Sequence, residues 1–278
     1  MESLKLGEFA CEQLSERLVR IIDCTGVSCY LALGTERAAL LDTGCGIGDV
    51  RAVVERITSL PVFVILTHGH LDHMGGAALF DEVYLSPLDA PVMAAHGRME
   101  FRVDDTNAQV HLERPLVAGD FVPVMASAPL PMKDGQEFDL GGLTVRMVAV
   151  PGHTPGMMCP LLVEERTIIF GDACGVSVLL FDEFSSTVSE YRAALGALKA
   201  VEGCYDRIYR NHGTFWSPKE LLDNVIACCD AVLAGTDAHQ PASVHGYDLF
   251  AAAALAPNGH GRADGLEGNI LYSAEKAR

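Results

Sequence analysis

Short apolar runs alternate with glycine-bearing turns along the first part of the chain. Residues 18–24, 27–33 and 38–41 each read as strands, separated by Thr25-Gly26 and by Gly34-Thr35-Glu36. A helical segment follows near residues 49–58. The β-branched run Pro61-Val62-Phe63-Val64-Ile65-Leu66 then predicts a buried strand. Residues 82–86 make another short strand, and strand character returns over 136–150, 167–170 and 207–210. Within the first of these, Leu140-Gly141-Gly142-Leu143 has the composition of a hairpin turn. A helix is predicted over 185–201, opened by Ser185-Ser186-Thr187 with Glu190 in capping reach. A second long helix starts at Ser217-Pro218-Lys219-Glu220, with proline in its first turn, and runs to Gly235. Residues 269–273 form a closing strand.

Two stretches break this rhythm. Residues 87–131 look like an insertion that serves as a lid, and residues 236–278 look like a C-terminal cap or tail. The strand endings Leu41-Asp42-Thr43-Gly44 and Phe170-Gly171-Asp172-Ala173 echo each other. They suggest two β-rich halves within one domain over residues 1–278, because no second boundary is visible.

One cluster stands out from the pattern. Thr67-His68-Gly69-His70-Leu71-Asp72-His73 follows the strand at 61–66 directly. Isolated histidines are usually solvated or satisfied in the core, but His-x-His-x-Asp-His behind an apolar strand is a dense set of metal-ligand side chains. Four such side chains so close together cannot all reach one ion without strain, whereas they can serve two. Asp42 ends the strand at 38–41, ahead of Gly44 and Gly46. A dinucleotide fingerprint fails there, because Asp49 holds the place of the third glycine. Asp42 is better used as an outer carboxylate that orients a metal-bound imidazole. Three further candidates sit at strand-end turns: His153 in Pro151-Gly152-His153-Thr154-Pro155-Gly156, Asp172 after 167–170, and His212 in Asn211-His212-Gly213. His96 and His111 fall in the insertion without a ligand-type neighbour and read as ordinary surface or lid residues.

Composition narrows the function classes. With 49% apolar and 21% charged residues, the chain is globular. Its formal charge of −17 argues against nucleic acid or an anionic membrane as partner. A small anionic substrate stays open, since metal ions can dominate a local field. The nine cysteines are odd in number and form no Cys-x-x-Cys pair, so neither a disulfide framework nor a zinc ribbon is expected. Cys174 reads as a packing residue. The first residues carry no basic-then-apolar secretion signal, and no apolar run reaches the length of a membrane span. A cytoplasmic protein with a small-molecule substrate is expected, and a homodimer is compatible with this. There is no Gly-x-Ser-x-Gly elbow, and Ser273-Ala274-Glu275-Lys276 matches Ser-x-x-Lys by chance alone.

Taken in order, Leu41-Asp42-Thr43-Gly44, the cluster at 67–73, the loop at 151–156, Phe170-Gly171-Asp172 and Asn211-His212-Gly213 resemble the motif set of the metallo-β-lactamase-fold hydrolases. The resemblance is to their binuclear branch, which includes glyoxalase II, quorum-quenching lactonases and related esterases. It implies an α+β fold, an αββα four-layer sandwich. It assigns His68, His70 and His153 to one metal ion and Asp72, His73 and His212 to a second, with Asp172 bridging and Asp72 also catalytic. The implied cofactor is two divalent ions, zinc first, with iron or manganese also suited to imidazole and carboxylate ligands. The implied reaction is attack of a metal-bridging hydroxide on a small ester, thioester or lactone. True β-lactamases of the family resemble this set but lack the bridging aspartate. Three alternatives remain: a mononuclear-iron persulfide dioxygenase, a phosphodiesterase, and a non-catalytic ligand-binding effector that keeps the metals for structure. The tail shows no basic segment suited to glutathione.

Overall fold

The computed structural model describes residues 4–244, 246–257, 259 and 261–278. Seven strands build the first sheet: β1 (Ala10–Ser15), β2 (Leu18–Ile22), β3 (Ser28–Leu33), β4 (Ala38–Leu41), β5 (Val62–Ile65), β6 (Val83–Leu85) and β7 (Leu130–Pro131). They lie in chain order, antiparallel from β1 to β4 and parallel from β4 to β7. The next strands are β8 (Glu137–Asp139), β9 (Thr144–Ala149), β10 (Met158–Leu162), β11 (Thr167–Ile169), β12 (Val178–Leu180), β13 (Arg207–Tyr209) and β14 (Trp216–Ser217). All of these except β12 form the second sheet, in the order β14-β13-β11-β10-β9-β8. β12 instead pairs with β17 (Ile270–Tyr272), which continues into β16 (Tyr247–Ala251) and β15 (Gln240–Val244).

Burial explains why the early strands read as unbroken apolar runs rather than alternating ones. Every residue of β2 and β4, and all but the last of β3, is buried, because both faces of the first sheet are covered. One face meets the second sheet across a core that includes Tyr30, Leu41, Phe63, Ile65, Val145, Met147, Met158 and Ile169. The other face packs on helix α1 (Val50–Ile57) through Val50, Val53 and Val54. The outer face of the second sheet is covered by two later helices. The layers therefore run helix, sheet, sheet, helix. The architecture is the expected α+β sandwich.

Five further helices are α2 (Leu71–Met74), α3 (Ala90–His96), α4 (Met99–Gln109), α5 (Val188–Ala200) and α6 (Glu220–Ala234). Helix α5 opens on the capping box formed by Thr187 and Glu190. Helix α6 ends at Gly235, whose left-handed φ of 65° closes the last turn. The hairpin between β8 and β9 turns on Gly141 and Gly142, both at positive φ, as a two-residue primed turn requires. None of the helices is long and apolar enough to cross a membrane among the described residues.

Residues 87–131 supply α3 and α4 before rejoining the first sheet at β7. Arg102 of α4 anchors this segment. Its guanidinium is buried and donates to the carbonyls of Val122, Cys45 and Gly75 at 2.8, 3.1 and 2.9 Å. The insertion is thereby tied to the turn after β4 and to the end of α2, the two places that flank the histidine cluster.

Candidate metal centre

Every candidate ligand leaves the scaffold where a buried strand gives way to a turn. β4 ends at Asp42, which holds a left-handed φ of 63°, a conformation aspartate tolerates better than most residues. Its fully buried carboxylate accepts from the Thr67 N–H at 2.7 Å, the Thr67 hydroxyl at 2.8 Å and Asn211 Nδ2 at 3.0 Å. Its fourth partner is His73 Nδ1 at 2.8 Å. This bond fixes the imidazole with Nε2 turned away from Asp42. The Thr67 hydroxyl spends its proton on Asp42, so it accepts from His68 Nδ1, 3.0 Å away, and leaves His68 Nε2 bare. His153 donates Nδ1 to the Leu179 carbonyl at 2.9 Å, which likewise frees its Nε2.

The freed atoms converge in two groups. His70 Nδ1 lies 3.2 Å from His68 Nε2 and 3.0 Å from His153 Nε2. His212 Nε2 lies 3.2 Å from both His73 Nε2 and Asp72 Oδ2, and the last two are 3.5 Å apart. Asp172 stands between the groups. Its Oδ1 is 3.4 Å from His212 Nε2 and 3.7 Å from His73 Nε2, while Oδ2 is 3.6 Å from His153 Nε2. Donor atoms so close together repel unless a proton or a metal cation lies between them. The edge of a tetrahedron with metal–nitrogen bonds of about 2.0–2.1 Å is roughly 3.3 Å, so the spacing fits a cation in each group. The donors are imidazole and carboxylate without thiolate, which suits zinc, iron or manganese. Cys174 is fully buried in the core of the second half, beside Cys159 and Tyr191, in line with a packing role.

The electrostatics of the metal-free chain point the same way. Burial, reinforced by the neighbouring imidazoles, pushes His68 and His70 well below the usual histidine range, so both are neutral with lone pairs available. Burial opposes charge on the other group too, but there the opposite charges win. Asp72 and Asp172 are held below the usual carboxylate range by His73 and His212. In return, the carboxylates raise His73 well above its usual value and His212 to about 10. A cation entering between Asp72, His73 and His212 must therefore displace protons, whereas His68 and His70 have none to give. Uptake of the ion at Asp72, His73 and His212 is expected to strengthen with pH, about tenfold per unit for each proton released, up to the His212 value near 10. Uptake of the other ion should show a shallower slope. Chelator-competition titrations across the neutral-to-alkaline range measure both, and equal slopes would contradict this division.

Sequence reasoning missed two residues around this centre. Asp89, fully buried at the start of α3, accepts from the Gly69 N–H at 2.8 Å, the Thr154 hydroxyl at 2.8 Å and the Gly156 N–H at 2.5 Å. It staples the loop carrying His68 and His70 to the loop carrying His153. Gly69 permits this approach, since a Cβ there would meet the Met93 nitrogen at 2.8 Å. The only sequence hint was Pro87-Leu88-Asp89-Ala90 with its helix-start composition. His96, expected to be an ordinary surface or lid residue, is instead stacked on His70, with ring centroids 4.3 Å apart and planes at 25°. Residues far apart in sequence meet here, which no local pattern could reveal. His111 is exposed, as expected.

The donor groups open into a cavity of about 1070 Å³, walled by parts of the 87–131 insertion, the segment after Asp172, the 210–214 turn and Tyr247 of β16. A family model described as the metallo-beta-lactamase superfamily matches residues 22–203. The chain belongs to this superfamily. Over 173 residues it is 30% identical to an atrochrysone carboxyl ACP thioesterase from Cryptosporiopsis sp., covering 58% of this chain and 44% of that one. Over 184 residues it is 23% identical to the "Probable polyketide biosynthesis zinc-dependent hydrolase BaeB" of Bacillus velezensis, covering 64% of this chain and 69% of the other. The solved metallo-beta-lactamase from Pontibacter korlensis superposes with a TM-score of 0.58 at 16% identity, over 80% of this chain and 99% of that one. That likeness speaks for the fold alone. The chain spans about half the length of the curated relatives it matches first.

Proposed function

We propose that the protein is a binuclear metal-dependent hydrolase of a small thioester, ester or lactone. The observation that carries this reading is the pair of convergent donor groups, His68/His70/His153 and Asp72/His73/His212, with the Asp172 carboxylate facing both. Two divalent ions, zinc first, would supply a Lewis acid and a water acidified towards neutral pH. The chain's own residues do the rest. Asp42, Thr67 and the Leu179 carbonyl fix the orientation of His73, His68 and His153, so that each turns its Nε2 towards the donor groups. Asp72, ionised and beside the reacting centre, is suited to take a proton from the incoming water. Thioesters lead the three substrate classes because a relative is named as a thioesterase. The insertion at 87–131 and the tail at 236–278 choose the substrate in this reading, since both contribute to the cavity wall. Nine free cysteines suit a reducing compartment such as the cytoplasm.

The test is elemental analysis of the purified chain together with turnover of a thioester, ester, lactone and phosphodiester panel. About two ions per chain and chelator-sensitive hydrolysis of a carboxylic substrate are expected. One iron per chain with oxygen consumption on a thiol persulfide would overturn the reading in favour of a dioxygenase. Two ions with no turnover would overturn it in favour of a binding protein.

A further inference from the structure

The cavity that receives the donor groups is lined with rings. His96 stacks on His70, and Phe101 of α4 lies against His96 with centroids 4.5 Å apart. These three rings form a run of ring contacts leading from a ligand-type histidine into the insertion. A second aromatic group comes from the other half of the chain. Phe181 and Tyr247 pair at 4.7 Å, and Phe184 sits three residues further along the same segment. All of them line the one cavity. Phe181 also packs on the small cluster of Leu249, Ala251 and Leu271, but core packing does not account for Tyr247, which is 52% exposed with its ring resting on Phe181. The sandwich core is closed elsewhere by Phe63, Phe138, Tyr30 and Tyr209.

Exposed aromatic faces within a site gain most from a flat partner, because stacked or edge-to-face rings add to what simple apolar burial supplies. A flexible alkyl chain would bury the same area without that gain, and it would lose more rotational freedom on binding. From this juxtaposition we infer that the hydrolysed substrate carries a planar aromatic or conjugated acyl group, seated against His96 and Phe101 on one side and Phe181 and Tyr247 on the other. This rests on the hydrolase reading for its chemistry but not for its binding surface. Phe101, Phe181 and Tyr247 are thus specificity-determining residues.

The test compares the metal-loaded enzyme on two neutral thioesters of equal carbon count, 2-naphthoyl and undecanoyl N-acetylcysteamine. The aryl substrate should be favoured by about tenfold or more in kcat/KM, from two or three ring contacts. Phe101→Leu and Tyr247→Leu should each lower the aryl-to-alkyl ratio about five- to tenfold. Tyr247→Leu is the safer variant for folding, since that side chain lies largely in solvent. An alkyl preference in the wild type, or ratios that do not move in the variants, would overturn the inference while leaving the hydrolase reading intact. If neither thioester turns over, thioester hydrolysis is excluded, the ester and lactone arms of the panel decide the hydrolase reading, and binding decides the cleft by itself. The wild type should then bind 2-acetylnaphthalene at least about tenfold more tightly than 2-dodecanone by calorimetry, with the difference reduced in Tyr247→Leu. Equal affinity for the two ketones would overturn it.

Discussion

Replacing Asp172 by alanine is expected to lower kcat/KM by at least about a thousandfold, close to 4 kcal/mol of transition-state stabilisation at about 1.4 kcal/mol per decade. The reason is positional. Among the described residues, Asp172 is the one carboxylate within 4 Å of donors from both groups, with Oδ1 towards His212 and His73 and Oδ2 towards His153. In the proposed binuclear reading, removing it leaves His68, His70 and His153 to hold one ion. The other ion, left with Asp72, His73 and His212, loses a shared ligand. Its loss also removes the largest influence raising the His212 pKa, so that value should fall from about 10 towards the ordinary histidine range. Steady-state kinetics, metal stoichiometry and NMR titration of His212 measure the three effects. Wild-type turnover in Asp172→Ala would sink the assignment. Asp172→Asn is the companion variant, since it keeps the shape of the side chain but removes its charge.

Asp42→Ala should be the most damaging single change to stability among the residues around the centre. Its carboxylate is fully buried and accepts four hydrogen bonds from three residues, Thr67, His73 and Asn211. Alanine leaves all four donors without an acceptor in a site closed to water. By the usual cost of breaking a buried charged network, the loss is about 3–5 kcal/mol. Alanine is also poorly suited to a φ of 63°. A thermal midpoint lower by roughly 6–15 °C is expected for a chain of this size. Metal affinity at the Asp72/His73/His212 group should fall about 10- to 100-fold, because His73 loses the partner that sets its tautomer. Asp42→Asn tolerates the left-handed backbone and keeps one oxygen, so it should melt between the two. A midpoint within 2 °C of wild type in Asp42→Ala would show that the network carries little of the stability.

Much of this centre was legible from residues alone, and the reason is local. Metal ligands must leave a rigid scaffold at points where the backbone can turn sharply. Such points have a sequence signature: an apolar run, then Asp or His among glycines and prolines. Asp42, the cluster at 68–73, His153, Asp172 and His212 all carry it, and the structure gathers them together, with His70, Asp72, His153, Asp172 and His212 lining the cavity and Asp42, His68 and His73 buried behind. The strands of the first sheet were equally plain, because burial on both faces makes them continuous apolar runs. Strand β10 was not. Pro160 interrupts it, and proline argues against a strand with partners on both sides, yet β10 lies between β9 and β11. β12 escaped notice because its partner, β17, is ninety residues away in the chain.

The sequence by itself determined the chemistry, since the identity of the donors and their placement after strands depend only on short-range patterns of burial and turn. The layered α+β architecture was implied by the resemblance of its motif set, to which the apolar runs themselves added two β-rich halves. Tertiary structure decided everything that depends on residues distant in the chain meeting in space. It divided the seven ligand-type residues into two facing groups, with Asp172 turned to both. It used Asp89 to join two loops, and it carried His96 from an unremarkable helix onto the ring of His70. It also set Tyr247 from the tail beside Phe181 at the cavity wall. Side-chain periodicity reports which face of an element is buried, but not which other element will bury it. The choice of substrate therefore lies with the fold.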